Sequence, residues 1–445
     1  MRIYHFALAV CGLALLPLML RADEGILDLT ALGNYAHQTI PAYITRDNTP
    51  ANNAITDAAA TLGRVLFHDK RLSRNDTVSC SSCHQQSLAF GALETASTGV
   101  AGMTGRHTTR LINDRFGTEV HFFWDERATS LESQATQPIQ NQGEMGFSGT
   151  LGDPTFADLL TKLSAIPEYR VLFTKAFGSA AINETKMQQA IAQFVRSIQS
   201  FDSKYDIGRA QVNNDNQTFP NFTSSESNGK QLFLGTAGCA ACHRPPEFDI
   251  DPNSKNNGII DSIAGGTDLT NTRSPSLRDS VGPGGQSNGP FMHNGVFTTL
   301  AQVINHYDAV PNNPANTNLD PRLRGPGGNL NLSPTQKNDL VAFMTTLTGS
   351  AVYTDARWSN PFSPANNLSL VVLPASSMRI QNIGGTVTVT SKATAGLQYQ
   401  LEFSSEFQYW TPMVTLTADS NGNLSRVVVM TGPVFYRFTF TPPTS

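Results

Sequence analysis

Two copies of one five-residue motif constrain this chain more than any other feature. They are Cys80-Ser-Ser-Cys83-His84 and Cys239-Ala-Ala-Cys242-His243. A Cys-x-x-Cys pair followed at once by histidine is the attachment signature of c-type haem, because the thiols bond to the haem vinyl groups and the histidine ligates the iron. A zinc ribbon would not need a histidine after each pair, and a redox dithiol would need only one pair. The motifs therefore predict two covalent haems, with His84 and His243 as iron ligands.

The residues before the two motifs are similar as well. Gly63-Arg-Val-Leu-Phe67 precedes the first motif and Gly229-Lys-Gln-Leu-Phe233 precedes the second, which predicts a short helix leading into each cysteine turn. A chain of 445 residues is too long for one compact domain. We therefore predict a mainly α protein with two tandem cytochrome c-like haem domains, residues 23–220 and 221–358. Apolar residues at three- and four-residue spacing predict further helices over 156–163, 186–200 and 334–347.

The sequence pattern changes after Pro361. Alternating and β-branched residues predict strands over 386–390, 399–403, 426–429 and 434–440. Residues 366–445 are therefore predicted to form a small all-β sandwich, which resembles fibronectin-like C-terminal modules of secreted bacterial proteins. This module contains no cysteine or histidine, so it is not expected to bind haem. Residues 359–366, rich in Pro, Asn and Ser, are expected to be an exposed linker.

The first residues predict export. Residues 1–22 begin with Arg2, continue with an apolar run and end at the small residue Ala22, which is the layout of a signal peptide. A membrane anchor is the alternative, but the apolar run is short for a membrane span. We expect a periplasmic or secreted protein with no stable membrane insertion. The net charge of −4 and the absence of a Lys/Arg-rich run argue against a nucleic-acid partner.

Strings between and around the motifs point to one family. In order along the chain they are Leu62–Ser73, Phe123-Trp-Asp-Glu-Arg-Ala128, Pro138-Ile-Gln-Asn-Gln-Gly-Glu-Met-Gly146, Ser274-Pro-Ser-Leu-Arg278 and Gly289–Leu300. Together with the two haem motifs they resemble the bacterial di-haem cytochrome c peroxidase family, which includes the MauG-like maturases. The resemblance covers roughly residues 50 to 350.

The resemblance implies a division of labour between the two haems. The haem on Cys80 and Cys83 is implied to be the peroxide site, and the haem on Cys239 and Cys242 the site that receives electrons. Glu144 falls on the family's distal acid, which moves a proton between the peroxide oxygens. Gln134 and Pro138 match positions that line the same distal pocket, and Trp124 matches the tryptophan between the haems.

Three positions depart from the family pattern. Gly99 stands where many members have a distal histidine, so we expect an open iron at the peroxide site, with Met103 or His107 as substitute ligands in the alternative interpretation. Tyr307 stands where ordinary peroxidases have the methionine ligand of the other haem, as in MauG-like members, and a tyrosinate ligand would lower the potential. His306 or Met292 as sixth ligand is the competing interpretation. Ala237 replaces the surface tryptophan that the maturases use.

The resemblance also implies a calcium ion between the haem domains. Asn288 and Pro290 could supply backbone carbonyl ligands, because Ca²⁺ takes oxygen donors. His107, however, stands at the place of the asparagine whose side chain holds the ion in the family.

These features predict a di-haem cytochrome c peroxidase that reduces hydrogen peroxide to water with electrons from a small cytochrome c or cupredoxin, and they allow a homodimer. The first alternative is a MauG-like di-haem oxidase acting on a protein or an organic substrate through high-valent iron, which Tyr307 favours and Ala237 disfavours. The second alternative is a non-catalytic di-haem electron carrier, which Glu144 disfavours.

Overall fold

The computed structural model describes residues 25–118, 120–248, 252–323, 329–373, 376–384, 386–429, 434–440 and 442–443. The predicted signal peptide, residues 1–22, lies outside the described residues. Among the helices that are described, none is long and apolar enough to cross a membrane.

Helices are the main regular secondary structure up to residue 345, as predicted. They are α1 Asp57–His68, α2 Cys80–Cys83, α3 Leu131–Ala135, α4 Gln137–Gln140, α5 Phe156–Ser164, α6 Pro167–Phe177, α7 Glu184–Ser197, α8 Lys204–Arg209, α9 Ser224–Leu234, α10 Leu300–Asp308 and α11 Pro334–Thr345. Helices α5, α7 and α11 confirm the three predicted from apolar spacing. Ser333 caps α11, since its hydroxyl accepts a hydrogen bond from the Gln336 N–H at 3.3 Å.

The two similar stretches before the haem motifs form equivalent helix crossings. Helix α1 packs on α7 and α9 packs on α11. A Cβ at Gly63 would overlap the Ala190 carbonyl oxygen, and a Cβ at Gly229 would overlap the Asp339 carbonyl oxygen. Each glycine therefore permits close contact between a pair of helix backbones. The repeated sequence has a repeated packing role, which supports the interpretation of two diverged copies.

The C-terminal region is a pair of small antiparallel sheets. The strands are β3 Ser376–Ile383, β4 Thr386–Lys392, β5 Gln398–Ser404, β6 Thr411–Thr417, β7 Asn423–Val428 and β8 Phe435–Phe440. The sheets have the orders β3-β4-β7 and β6-β5-β8. Val389 pairs with Arg426, Leu401 pairs with Phe438, and both Val389 and Leu401 are fully buried. The four predicted strands are confirmed, whereas the fibronectin-like topology stays a prediction.

The expected linker at 359–366 is exposed only in part. Pro361 is buried and the Phe362 side chain is only 2% exposed. Just beyond it, β2 (Ser369–Val371) pairs in parallel with β1 (Ile26–Asp28) near the start of the described chain. The residues after 358 thus run across the first half of the protein, because Phe362 needs an apolar surface that the linker alone does not provide.

Buried residues form two main clusters. One contains Phe194 of α7, Phe362 and Val389 of β4, so the first half and the β region share a core. The other contains Phe233 of α9 and Phe343 of α11. Each haem motif therefore lies beside a different core, and the β region belongs with the first.

Candidate active site

The first haem motif is a single helical turn that presents two thiols and an imidazole. It forms α2, and the His84 N–H donates to the Cys80 carbonyl at 2.9 Å. Nδ1 of His84 lies 3.1 Å from the Phe90 carbonyl oxygen and 3.0 Å from the Thr109 carbonyl oxygen. Because carbonyls only accept, Nδ1 carries the proton, and Nε2 keeps the lone pair that an iron ligand needs. This donor set fits a covalent haem.

The residues predicted to act on peroxide lie in the same place. A cavity of about 80 Å³ is lined by the thiols and imidazole of this motif together with Gln134, Pro138 and Glu144. Burial raises the pKa of Glu144, and the nearby Arg127 guanidinium partly offsets that rise. A carboxyl group with a raised pKa beside a reactive centre is suited to taking up and releasing a proton.

Gly99, at the position of the distal histidine, packs against the loop that carries Glu144. The Val100 N–H donates to the Glu144 carbonyl at 2.9 Å, and the Ala101 N–H donates to the Gly143 carbonyl at 3.1 Å. A Cβ on Gly99 would lie 2.7 Å from the Glu144 Cα. The glycine is therefore needed for this contact, and it brings no side chain into the cavity that it lines.

Neither proposed substitute for the distal histidine lines this cavity. Met103 is 58% exposed. His107 is buried, with Nδ1 located 3.0 Å from the Glu94 carbonyl oxygen, and it lines the cavity of the second motif instead.

The second motif shares with the first the hydrogen bond from the histidine N–H to the carbonyl of the first cysteine. Cys239–Ala241 forms a single 3₁₀ turn, and the His243 N–H donates to the Cys239 carbonyl at 2.9 Å. The cavity lined by these residues has a volume of about 510 Å³. This volume is within the range of pockets that hold cofactors and other small molecules. Phe233 lines it as Phe67 lines the first cavity. The four cysteines of the two motifs, all in the described part of the chain, form no disulfide.

Two of the three candidate sixth ligands reach this second cavity. Tyr307 and Met292 line it, whereas His306 does not, and Nε2 of His306 lies 2.9 Å from the Asn257 carbonyl oxygen. Burial raises the pKa of Tyr307, and a side-chain hydrogen bond from Asn257 acts in the opposite direction. The Asn257 amide also donates to the Met292 sulfur at 3.3 Å. The Asn257 side chain thus hydrogen-bonds to both candidate ligands, Tyr307 and Met292. No sequence signal indicated this role.

Trp124 connects the two cavities through one short peptide segment. Its ring lines the larger cavity, and its Nε1–H donates to the His107 carbonyl at 2.6 Å. Two residues further on, the Thr109 carbonyl is one of the acceptors beside His84 Nδ1. A path through Trp124 and residues 107–109 therefore joins the cavity of His243 to the imidazole of His84.

The implied calcium site does not fit at two of its positions, Asn288 and His107. The Asn288 carbonyl oxygen lies 3.4 Å from Nη1 of Arg110, a cation. His107, at the place of the family's asparagine, directs Nδ1 at the Glu94 carbonyl.

Ala237, at the place of the maturase tryptophan, is buried and only 7% exposed.

Comparison with known proteins agrees with this geometry. The family model described as di-haem cytochrome c peroxidase matches residues 57–214. The methylamine utilization protein MauG of Methylophilus methylotrophus is 31% identical over 314 residues, covering 68% of this chain and 86% of that protein. The chain belongs to the di-haem cytochrome c peroxidase family. Membership implies an oxidoreductase with two c-type haems.

Other members of the family extend the comparison. Cytochrome-c peroxidase IdrP1 of Pseudomonas sp. (strain SCT) is 28% identical, covering 68% of this chain and 83% of that protein. The crystal structure of a MauG-like protein associated with microbial copper homeostasis is 28% identical, with a TM-score of 0.59, covering 73% of this chain and 99% of that one. The family thus includes both peroxidases and MauG-like proteins, and both are similar to this chain.

Proposed function

We propose that this chain is an exported di-haem peroxidase that reduces hydrogen peroxide to water with electrons from a small cytochrome c or cupredoxin. The observation that carries the proposal is the position of Glu144 in the cavity of the first haem motif, with its pKa raised by burial. Two electrons and two protons convert one peroxide into two waters. Export is proposed from the signal-like residues 1–22 alone.

In this proposal the first cavity performs the proton chemistry. Cys80, Cys83 and His84 would hold the haem, which would supply the redox chemistry for cleavage of the O–O bond. The ionised Glu144 carboxylate accepts the proton of one peroxide oxygen and returns it to the other, so that the leaving oxygen departs as water. Gln134 and Pro138 shape the space around peroxide, and Gly99 leaves it open.

The second motif is proposed to receive the electrons. Trp124 and residues 107–109 then provide the connection to His84, because hydrogen bonds join the Trp124 indole and the His84 imidazole to one short segment. Tyr307 is proposed as the sixth ligand, with Asn257 donating a hydrogen bond to its oxygen. Met292 is the alternative ligand in the same cavity.

A MauG-like oxidase acting on a protein or an organic substrate is the second candidate. Tyr307 in the second cavity and the 31% identity to a MauG protein favour it. The burial of Ala237 disfavours the surface route that a tryptophan would provide. A plain electron carrier would have no use for an acid in the first cavity, so Glu144 argues against it.

Glu144→Gln tests the peroxidase proposal. We expect both haems to remain bound and turnover with peroxide and a reduced cytochrome to fall about a hundred- to ten-thousandfold, since amide cannot relay the proton. Glu168→Gln, on α6 and outside both cavities, is the matched control and should retain turnover. Equal turnover in both variants would remove Glu144 from the mechanism.

A resting electron paramagnetic resonance spectrum tests the open site. The ferric protein should contain one high-spin and one low-spin haem and should react with peroxide without prior reduction, because Gly99 supplies no ligand. Two low-spin haems, with a lag that pre-reduction abolishes, would show that another residue blocks the first iron. Peroxide-dependent oxidation of an organic substrate without a reduced cytochrome would favour the oxidase instead.

A further inference from the structure

Arg110 is a cation that joins the first half of the chain to the second. Its Nη1 donates to the Asn288 carbonyl at 3.4 Å. Its Nη2 donates to the Ser276 carbonyl at 3.3 Å and to the Ser280 hydroxyl at 3.1 Å. All three acceptors are neutral oxygens more than 160 residues further along the chain. One guanidinium therefore gathers three oxygens from the other half.

This charge has no acidic hydrogen-bond partner. No carboxylate among the described residues lies within salt-bridge distance of Arg110, and its Nε is buried without a partner. Burial lowers the pKa of Arg110, with Asp279 the main group acting against that effect, but a guanidinium keeps its charge in proteins. Carbonyl and hydroxyl oxygens thus solvate the cation, as they would solvate a hard metal ion.

The surroundings of Arg110 are shaped for its side chain. A Cβ on Gly91 would lie 2.9 Å from the Arg110 Cγ, so the glycine gives the stem its space. The Asn288 side chain is also held in place, because its amide donates to the Asp279 carbonyl and to the Tyr353 hydroxyl, both at 2.9 Å. The acceptor carbonyl is therefore fixed where the guanidinium meets it.

The same carbonyl is one of those expected to bind calcium. A divalent ion on the Asn288 carbonyl would be close to the Arg110 charge, and like charges repel strongly where water is excluded. We propose that the Arg110 guanidinium holds the first and second halves of the chain together and takes the place of calcium in this protein. The protein should therefore fold and keep its haem environments without the metal.

The first test uses the haem-loaded full chain. After dialysis against metal-free buffer, elemental analysis should find no stoichiometric calcium. Thermal unfolding followed by haem absorbance, and the resting spin-state spectrum, should be the same with the chelator EGTA as with millimolar calcium chloride. One calcium per chain, or a melting temperature that falls in EGTA, would overturn the proposal.

The second test removes the guanidinium. Arg110→Ala should lower the melting temperature by several degrees, and added methylguanidinium should restore part of the loss. Arg426→Ala is the matched control, because the Arg426 side chain is exposed on β7, and it should show neither effect. An unchanged melting temperature in Arg110→Ala, or a loss that methylguanidinium does not reverse, would contradict the proposal.

If Arg110→Ala yields no haem-loaded protein, the melting temperatures of two milder variants can be compared. Arg110→Lys keeps the charge and Arg110→Met keeps a similar length without it. The lysine variant should melt at the higher temperature of the two. A methionine variant of equal or higher melting temperature would show that packing, and not charge, joins the halves.

Discussion

Replacing Gly99 by alanine should impair peroxide turnover without changing any group that reacts. The new Cβ would lie 2.7 Å from the Glu144 Cα, whereas non-bonded carbon atoms need about 3.5–4.0 Å. The loop that carries Glu144 must therefore move by about 1 Å. A displacement of this size at a catalytic group costs on the order of 100-fold in rate, or about 2.7 kcal/mol of activation free energy.

Steady-state peroxide consumption with a reduced cytochrome measures this effect as kcat/KM. The matched control is Gly102→Ala, three residues after Gly99, because a Cβ at Gly102 meets no atom within 4 Å. Haem content should be the same in both variants and in the parent protein. If Gly99→Ala and Gly102→Ala retain equal kcat/KM, the contact between Gly99 and the Glu144 loop does not control catalysis, and the reasoning is refuted.

Three further predictions concern the pH profile, the β region and the second haem. Arg127→Gln should move the acid limb of kcat/KM to higher pH, because Arg127 lowers the pKa of Glu144 and the carboxylate must be ionised to accept a proton. An acid limb at the same pH in both proteins would contradict this. A chain ending at Asn360 should melt at a lower temperature, and Phe362→Ala alone should cost about 3–5 kcal/mol of unfolding free energy; unchanged melting of both would restore the exposed-linker expectation. Tyr307→Met should raise the potential of the second haem in spectroelectrochemical titration; an unchanged potential would assign the ligand to Met292.

Local sequence was sufficient to predict the two haem motifs, five of the eleven described helices and four of the eight described strands. The cysteines and histidine of each motif lie within five consecutive residues, so about one turn of helix brings them together regardless of the surrounding fold. The helix α11 was equally predictable, since its cap and its apolar spacing lie within the segment itself. The resemblance then located Glu144, Gln134 and Pro138, which do line one cavity with the first motif.

The sixth ligand shows where local reasoning ends. His306 and Tyr307 are neighbours on α10, and successive residues on a helix differ in direction by about 100°. Only the packing of α10 decides that Tyr307 lines the second cavity while His306 meets the Asn257 carbonyl. Met292 reaches the same cavity from a distant loop, so its competition with Tyr307 could not be judged from spacing.

Sequence alone therefore determined what is local in this protein, namely two haem motifs, their leading helices and four of the β strands. Tertiary structure decided the contacts between distant segments. Gly99 meets the Glu144 loop, Phe362 completes the core of the first half, and Arg110 reaches a carbonyl 178 residues away. The physical reason is that such contacts depend on how whole elements pack, and periodicity within one segment carries no information about the partner that will bury its apolar side chain or solvate its charge.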